Sequence, residues 1–403
     1  MPFARCEQQS VARTLWEFRV RILCSAVPLE GHVQPLLPLA AALVRAGHDV
    51  RFATGPDLHA RIRQAGIIPV VAGPSFAEAL EETSRVPRLL ELPLNERGGA
   101  TFSQVIAPAK LPDLERIIYD WRPHLVVHEC TDMAAPIAAA ARGVPTVTQG
   151  WGLIPLPGLT TPPPADVAQL WRSRGLQPDP YAGIFGSLHL HPVPSALQPD
   201  PKVPVGRVQL MRLDPEAVAG AELPAWAEQL GLGEAPVVYV SLGTHPYFSQ
   251  PEFFRVILDG LARPEVEVVA TLGEHIDPAS LGPQPRHVHL ERWLPLPRLL
   301  PRCSLVVCHA GSGTLLASLA AGLPLLLLPR GADQFENAAA SERAGVARVL
   351  LPDAFTPNAV ASEVEQLLMS ESYRQAAASL RLEIEAMPAP SAVVPLLEEL
   401  IRG

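Results

Sequence analysis

The sequence predicts an α/β protein with two doubly wound parallel-sheet domains that face each other across a cleft. Short apolar and β-branched runs alternate with helical segments in both halves of the chain, a rhythm typical of parallel sheets with right-handed crossovers. A proline-rich stretch without this periodicity separates the two halves. The chain of 403 residues is long enough for two domains, each with its own hydrophobic core.

The first half repeats a strand–helix–strand pattern. A strand is predicted over 20–27, followed by a helix over 34–47 that ends at Gly47. Further strands are predicted at 49–54, 67–73, 124–129 and 146–150.

The second half resumes the pattern past about residue 215. The run 324–329 has no polar alternation, which suits a strand covered on both faces. A helix over 314–322 precedes it, and Gly322 is the expected C-terminal stop. The other strands are predicted at 237–244, 266–273, 287–293 and 304–309.

The stretches 156–167 and 189–206 carry many of the 45 prolines and are predicted to be loops and an interdomain linker. The predicted units are an N-terminal tail (1–18), a first domain with the linker at its end (19–212), a second domain (213–386) and a C-terminal helix that folds back on the first domain (387–403).

Composition narrows the possible functions. The formal charge is −9, from 32 basic and 41 acidic residues, without a Lys/Arg cluster, which argues against nucleic acid and a polybasic membrane anchor. Neither a signal peptide nor a run of membrane-spanning length is found, so we expect a cytoplasmic protein that does not insert into membranes. The cysteine count of 5 is odd, which favours buried reduced thiols over disulfides.

The first βα turn, "SAVPLEGHVQP", has one glycine and lacks G-x-G-x-x-G, so it is not predicted to bind a dinucleotide. It brings His32 to the carboxyl end of a strand, just before a helix. There an imidazole could act as a general base or a ligand. The alternative is that His32 caps or packs against the helix.

In the second half, "AGSGT" (310–314) opens a helix whose free N–H groups and dipole favour an anion. His309 precedes it, and Thr244 ends a neighbouring strand. The sequence contains neither the P-loop pattern G-x-x-x-x-G-K-[ST] nor D-x-D, and no clustered His/Asp set has ligand spacing. No metal site is therefore predicted, and the helix dipole and histidine would carry the anion's charge.

Five segments in order and spacing resemble the nucleotide-sugar-dependent glycosyltransferases of the GT-B fold, whose two domains are Rossmann-like. The most similar subgroup is the bacterial one that decorates macrolides, enediynes and other antibiotics. The resemblance extends from about Arg19 to Ala386 and is most specific in the C-terminal half. It is carried by "GHVQP", "SLGT", "RWLPL", "CHAGSGT" and "PRGADQFENA".

The resemblance implies a donor site in the second domain. Trp293 would stack on the nucleobase while the Leu294 backbone reads the base edge; the alternative for Trp293 is a core tryptophan. The diphosphate would be cradled by His309, Gly311, Ser312, Gly313 and Thr314, assisted by Thr244.

The resemblance also implies roles at the reacting groups. Asp333 and Gln334 would hydrogen-bond the sugar hydroxyls; the alternative is that they are solvated loop residues. His32 would be the general base on the acceptor. An acidic residue after the strand 124–129 would orient it, and Glu129 and Asp132 both remain candidates.

Two departures from the family pattern bear on the donor. Relatives that use ribose nucleotides carry a glutamate where this sequence has Ala317, which cannot accept a hydrogen bond from a ribose hydroxyl. Many plant relatives carry glutamine where this sequence has Leu296. Both differences favour a dTDP-deoxysugar over a UDP-sugar.

We therefore expect an inverting, metal-independent enzyme without a cofactor, which transfers a deoxysugar from a dTDP-sugar to a hydroxyl of a hydrophobic natural product. The segments 73–110 and 150–190 are expected to be loops lining the acceptor pocket. Two alternatives stay open: a non-catalytic auxiliary protein that binds nucleotide, and a nucleotide-sugar epimerase on the same fold. The sequence also leaves open whether the chain is a monomer or a homodimer.

Overall fold

The computed structural model describes residues 19–92, 94–154, 165–198, 206–214 and 222–402. The predicted tail 1–18, with Cys6, lies outside these residues, as does part of the predicted linker.

The first domain is built on a seven-stranded parallel sheet. Its strands are β1 (Arg21–Ser25), β2 (Asp49–Thr54), β3 (Ile68–Val71), β4 (Leu125–Glu129), β5 (Thr146–Gln149), β6 (Leu188–His191) and β7 (Arg207–Leu210). The order across the sheet is β3-β2-β1-β4-β5-β6-β7. Along β1, Ile22 and Cys24 enter one core cluster and Leu23 enters another, so the strand is buried on both faces.

Helices cover both faces of this sheet. They are α1 (Glu30–Val33), α2 (Leu37–Arg45), α3 (His59–Gln64), α4 (Phe76–Ser84), α5 (Pro87–Leu90), α6 (Leu94–Thr101), α7 (Ala107–Trp121), α8 (Ala134–Ala140) and α9 (Ala165–Arg172). A π-helical turn, Phe102–Ile106, joins α6 to α7.

The second domain is built on a six-stranded parallel sheet. Its strands are β8 (Val237–Ser241), β9 (Glu267–Thr271), β10 (Val288–Glu291), β11 (Leu305–Cys308), β12 (Leu325–Leu327) and β13 (Ala347–Val349). Their order is β10-β9-β8-β11-β12-β13. The helices are α10 (Pro251–Leu261), α11 (Leu296–Leu299), α12 (Ser312–Ala320), α13 (Gln334–Arg343), α14 (Pro357–Met369) and α15 (Glu371–Ala386). The prediction of two doubly wound parallel-sheet domains is confirmed.

The structure corrects the sequence analysis in two places. The stretch predicted as linker contains most of the buried strand β6 and precedes β7, so it completes the first sheet. Much of 73–110 is helical, through α4 to α7, and is not the loop that was expected.

The C-terminal helix, α16 (Pro390–Arg402), packs against α2 of the first domain. Val393, Val394 and Leu397 are buried in the same core cluster as β1. Beside this contact, Nε2 of the buried His48 lies 3.2 Å from Oε1 of Glu398. The chain therefore returns to the first domain after completing the second.

The carboxyl ends of the two sheets face each other. Because the strands of each sheet are parallel, the loops after them gather at one edge. Across the cleft, the ring centroids of Phe76 in the first domain and His245 in the second are 5.5 Å apart. The residues singled out at strand ends therefore meet between the domains.

Candidate active site

His32 lies on α1, soon after β1, and its side chain is 13% exposed. Its Nδ1 atom is 2.9 Å from Oγ1 of Thr131 and 3.3 Å from Oε2 of Glu129. Glu129 ends β4, which pairs with β1 in the sheet. The strand order therefore brings together residues that are far apart in the sequence.

Glu129 is buried, and its carboxylate accepts several hydrogen bonds. It accepts hydrogen bonds from the backbone N–H groups of Val27 at 3.3 Å and Thr131 at 2.6 Å, and from the Thr131 hydroxyl at 2.7 Å. Burial alone would raise the pKa of Glu129, but His32 and the hydrogen bonds from Thr131 outweigh burial and lower the pKa to about 2. The group is an ionised carboxylate at neutral pH.

An ionised acceptor beside Nδ1 of His32 favours the tautomer that carries hydrogen on this nitrogen. The Nε2 atom then keeps its lone pair and can accept a proton from a hydroxyl group. The rings of Phe102 and Trp151 stand edge-on to the imidazole, with centroids at 5.4 Å and 5.1 Å. This geometry, an imidazole with an ionised carboxylate on one nitrogen and apolar walls, is the one that a general base requires.

Asp132, the alternative partner of His32, is engaged elsewhere. Its Oδ2 atom lies 2.7 Å from Nζ of Lys110 and accepts a hydrogen bond from the Ser25 hydroxyl at 2.6 Å. Both members of the ion pair are at most 1% exposed. Of the two candidates left open by the sequence, Glu129 is the one beside His32, because Lys110 pairs with the carboxylate of Asp132 in the core.

The start of α12 forms the second side of the site. Gly311 is its N-cap, and no side chain caps the free N–H groups of the first turn. A methyl group at Gly313 would meet nothing within 4 Å, so the turn is open to a ligand. Thr244 is exposed nearby, because Cys308 at the end of β11 pairs with Ser241 at the end of β8. Thr314 is half-buried on the same turn.

His309 is buried between two glycines. A methyl group at Gly243 would lie 2.7 Å from the ring, and one at Gly311 would overlap its Nε2 atom. Phe248 stacks on the ring with a centroid distance of 6.1 Å. Burial lowers the pKa of His309 to about 4, so the imidazole is neutral at pH 7 and can supply a hydrogen bond but not a positive charge.

Asp333 belongs to a buried hydrogen-bond network. Its Oδ2 atom accepts bonds from the Ser312 hydroxyl at 2.6 Å and from Nδ2 of Asn337 at 2.8 Å. Burial raises the pKa of Asp333, although these hydrogen bonds oppose the shift. The Ser312 hydroxyl is therefore tied to the next loop, which leaves the backbone N–H as the group of this residue that is available to a ligand.

Gln334 is also buried, and its Oε1 atom accepts hydrogen bonds from the backbone N–H of Arg330 at 2.8 Å and of Gly331 at 3.2 Å. These bonds fix the loop after β12. They leave the side-chain amide nitrogen as the donor that Gln334 can offer to a ligand.

Trp293 follows β10 and is 48% exposed, whereas the next residue, Leu294, is buried. The guanidinium carbon of Arg61, from the first domain, lies 6.0 Å from the centroid of the Trp293 ring. An exposed indole at a strand end is a surface on which a planar group can stack.

Leu296 and Ala317 are half-buried and pack against the core of the second domain.

The sequence analysis missed several residues of the site. Thr131 and Trp151 contact the His32–Glu129 pair, Lys110 holds Asp132, and Asn337 joins Ser312 to Asp333. Only Asn337 had a usable signal, since it lies four residues after Asp333 at the start of a helix, where such side chains meet.

Within the described ranges, no three or more His, Cys, Asp or Glu side chains are arranged to hold a metal ion. The described cysteines, Cys24, Cys130, Cys303 and Cys308, are free thiols. In the same part of the chain, no helix has the length and apolar character needed to cross a membrane.

Comparison with known proteins shows which family the chain belongs to. The models of the erythromycin biosynthesis protein CIII-like N-terminal and C-terminal domains match residues 41–179 and 255–400. The elloramycin glycosyltransferase of Streptomyces olivaceus is 32% identical, over 94% of this chain and 97% of that protein. The L-demethylnoviosyl transferase of Streptomyces niveus is 30% identical, over 93% and 96%.

A solved structure of a spinosyn rhamnosyltransferase with thymidine diphosphate superimposes with a TM-score of 0.77. It is 27% identical and covers 94% of this chain and all of that one (100%). The predicted GT-B arrangement is thereby confirmed. The chain belongs to the erythromycin biosynthesis protein CIII-like family, and it is a glycosyltransferase.

Proposed function

We propose that this enzyme transfers a deoxysugar from a dTDP-sugar to a hydroxyl group of a hydrophobic natural-product aglycone in antibiotic biosynthesis, with inversion at the anomeric carbon. The observation that carries the proposal is the His32–Glu129 pair, a base with an ionised partner 3.3 Å away, which faces the open start of α12 across the cleft. A base on one domain and an anion site on the other are the two parts that a direct displacement needs.

In the proposed step, Nε2 of His32 takes the proton of the acceptor hydroxyl as its oxygen bonds to the anomeric carbon. The bond from that carbon to the diphosphate oxygen breaks on the opposite side, and dTDP leaves with the electron pair. Glu129 keeps hydrogen on Nδ1 and stabilises the imidazolium that forms. A single displacement of this kind inverts the anomeric configuration.

The leaving diphosphate would lie at the start of α12. The unsatisfied N–H groups of the first turn and the helix dipole favour its negative charge. His309, neutral at pH 7, would add a hydrogen bond, and Thr244 a hydroxyl. Because this cradle and the absence of D-x-D from the sequence suit a diphosphate without a bridging metal, we propose metal-independent transfer.

The sugar would lie between this turn and α13. The amide nitrogen of Gln334 and the carboxyl group of Asp333 are the polar groups there that can meet its hydroxyls. Ser312 and Asn337 already occupy Oδ2 of Asp333, which leaves its other oxygen for the sugar. A deoxysugar, with fewer hydroxyls, suits this small set of polar groups.

The nucleobase would stack on the exposed face of Trp293, with the Leu294 backbone at its edge. The thymine nucleotide in the related spinosyn rhamnosyltransferase supports dTDP as the donor nucleotide. Ala317 supports it further, since its methyl group cannot accept a bond from the hydroxyl that distinguishes ribose from deoxyribose. On the acceptor side, the walls made by Phe102 and Trp151 suit an apolar aglycone.

The proposal is tested by incubating the enzyme with an α-configured dTDP-deoxysugar and a panel of aromatic and macrolide aglycones. We expect a glycoside with the β-configuration by NMR, unchanged turnover in excess chelator, and lower turnover with the matching UDP-sugar. A product of retained configuration would overturn inversion. Binding of dTDP without turnover of any acceptor would favour an auxiliary nucleotide-binding protein, and a product sugar of altered ring stereochemistry would favour an epimerase.

A further inference from the structure

The short segment after β5, residues 151–154, passes from His32 in the first domain to the start of α12 in the second. We call residues 311–314 at this start the donor turn and residues 151–154 the crossing segment. The sequence analysis assigned it no role beyond a loop near the acceptor. Its four residues make different contacts, and together these contacts connect the two halves of the site.

Trp151 contacts the catalytic pair directly. Its indole Nε1 donates a hydrogen bond to Oε2 of Glu129 at 3.3 Å, the same oxygen that lies 3.3 Å from Nδ1 of His32. Its ring stands edge-on to the imidazole, with a centroid distance of 5.1 Å and an interplanar angle of 66°. The indole therefore fixes both the carboxylate oxygen and the plane of the base.

Gly152 contacts the donor turn. It is buried, and a methyl group there would overlap the Ser312 hydroxyl and lie 3.5 Å from Oδ2 of Asp333. A β-carbon at this point would force the Ser312 side chain out of its place beside Asp333. The glycine is what allows the two halves of the site to approach this closely.

The other two residues tie the segment to the second domain and to the stretch between β6 and β7 of the first. Leu153 is buried in the core cluster that contains β11 and α12. The backbone N–H of Ile154 donates to Oε1 of Gln198 at 2.8 Å, and the amide of Gln198 donates back to the carbonyl oxygen of Ile154. A displacement of the donor turn is therefore transmitted to Trp151 through only a few bonds.

We propose that Trp151 is a positioning residue for the His32–Glu129 pair and that Gly152 holds this pair in line with the donor turn. This inference rests on the proposed transfer reaction. In-line displacement needs reacting atoms about 3–3.5 Å apart, and a misplacement of about 1 Å can cost about 10²-fold in rate. Since base and donor belong to different domains, a link between them sets that distance.

The first test is Trp151→Phe, which keeps an aromatic wall and removes the indole N–H. We expect kcat to fall about tenfold, the factor that a hydrogen bond to a charged group is commonly worth. The dissociation constant for dTDP should stay within about twofold of wild type, because the indole contacts His32 and Glu129 on the acceptor side of the cleft. The melting temperature should be nearly unchanged.

The same variant should alter the pH dependence of kcat/KM. Without the indole donor, Oε2 of Glu129 interacts more strongly with protonated His32, so half-maximal activity on the acid side moves to higher pH. Among the described residues, Asp333 and His245 of the second domain also face His32, and Trp151→Phe leaves both in place. A merely structural role would lower activity without moving the profile.

The second test is Gly152→Ala, with Gly233→Ala as the matched control. Gly233 is exposed, and a methyl group there meets nothing within 4 Å. We expect Gly152→Ala to weaken dTDP binding at least about tenfold and to raise the donor KM, because the methyl group displaces Ser312. Gly233→Ala should behave as wild type.

A wild-type pH profile in Trp151→Phe, or wild-type dTDP affinity in Gly152→Ala, would overturn the inference. Calorimetric titration of dTDP does not require turnover. If wild type binds dTDP but transfers no sugar, the proposed function fails while Gly152→Ala still tests the contact with the donor turn.

Discussion

Oε2 of Glu129 lies 3.3 Å from Nδ1 of His32, and both groups sit at the carboxyl ends of adjacent strands. The hydroxyl of Thr131 lies 2.9 Å from the same nitrogen and also bonds the carboxylate. Because Glu129 is buried and ionised, it can both orient the imidazole and stabilise its protonated form. The activity of the enzyme should depend on this charge more than on the shape of the side chain.

The substitution Glu129→Gln keeps the shape and removes the charge. The amide group can also donate to Nδ1 of His32, which would favour the tautomer with hydrogen on Nε2 and so remove the base. We expect kcat to fall by at least about 10²-fold, within the range that positioned general bases contribute.

Glu267→Gln is the matched control, since Oε1 of Glu267 lies 2.6 Å from Nε2 of His289 in a pair outside the described site. Steady-state kinetics should give wild-type kcat for this variant. A Glu129→Gln enzyme that keeps more than about a tenth of wild-type turnover would contradict the role of the carboxylate.

The buried pair of Lys110 and Asp132 is predicted to hold the turn that leads to His32. Nζ of Lys110 lies 2.7 Å from Asp132 and donates to the carbonyl oxygen of Ala26 at 2.5 Å. Lys110→Met leaves a buried carboxylate without its partner, so the free energy of unfolding should fall by about 3–5 kcal/mol in urea titrations.

Replacing both partners, as Lys110→Met with Asp132→Leu, should recover much of this loss, because no uncompensated charge remains. Arg116→Met is the control. It breaks the exposed pair with Asp113, which is worth about 0–1 kcal/mol. Equal stability of Lys110→Met and wild type would show that the pair does not hold the turn.

Two buried histidines are expected to lower the free energy of unfolding in acid. Burial, the largest cause, lowers the pKa of His189 to about 3 and that of His191 to about 4. Both are neutral in the folded protein, whereas in the unfolded chain a histidine takes up a proton below about pH 6.5. Stability is therefore lost as pH falls from about 6.5 towards about 4, by about 1.4 kcal/mol per pH unit for each histidine.

The variant His189→Leu removes one of these groups and should flatten the slope by about 1.4 kcal/mol per pH unit. Urea unfolding at a series of pH values between 7 and 4 measures how the free energy of unfolding depends on pH. Parallel curves for the variant and wild type would mean that His189 does not contribute to the loss of stability in acid.

The donor preference is predicted from Ala317, which lies one turn after Gly313 on α12 and is half-buried. Wild type should bind dTDP at least as tightly as UDP, and Ala317→Glu should shift the preference toward UDP. A buried carboxylate without a hydroxyl partner costs about 1–3 kcal/mol, so the variant should lose dTDP affinity more than it gains UDP affinity. Calorimetric titration of both nucleotides into wild type and Ala317→Glu measures these affinities. Tenfold tighter binding of UDP than of dTDP by wild type would refute the deoxyribose interpretation.

The apolar runs of β1, β8, β11 and β12 made the two parallel sheets predictable, because strands buried on both faces need such runs. Strand β6 was missed because its alternate residues are His189 and His191, whose polarity and neighbouring prolines are typical of a loop. Both side chains are nevertheless buried, a tertiary environment that periodicity does not reveal.

The sequence predicts those residues of the site that lie at or just after strand ends. His32 and Glu129 follow adjacent strands, so their meeting follows from the sheet order. The choice between Glu129 and Asp132 was not predictable from the sequence. It depends on Lys110, which lies on α7 and pairs with Asp132 only in the folded domain. The contact between Gly152 and Ser312 likewise exists only once the two domains are packed together.

The central claim is that His32 is the base that activates the acceptor. The most direct measurement compares kcat at saturating substrates and the dTDP dissociation constant for wild type and His32→Ala. We predict that kcat falls by about 10² to 10⁴-fold, the contribution of a positioned general base, while dTDP binds as in wild type. A His32→Ala enzyme that keeps more than half of its turnover would contradict the claim.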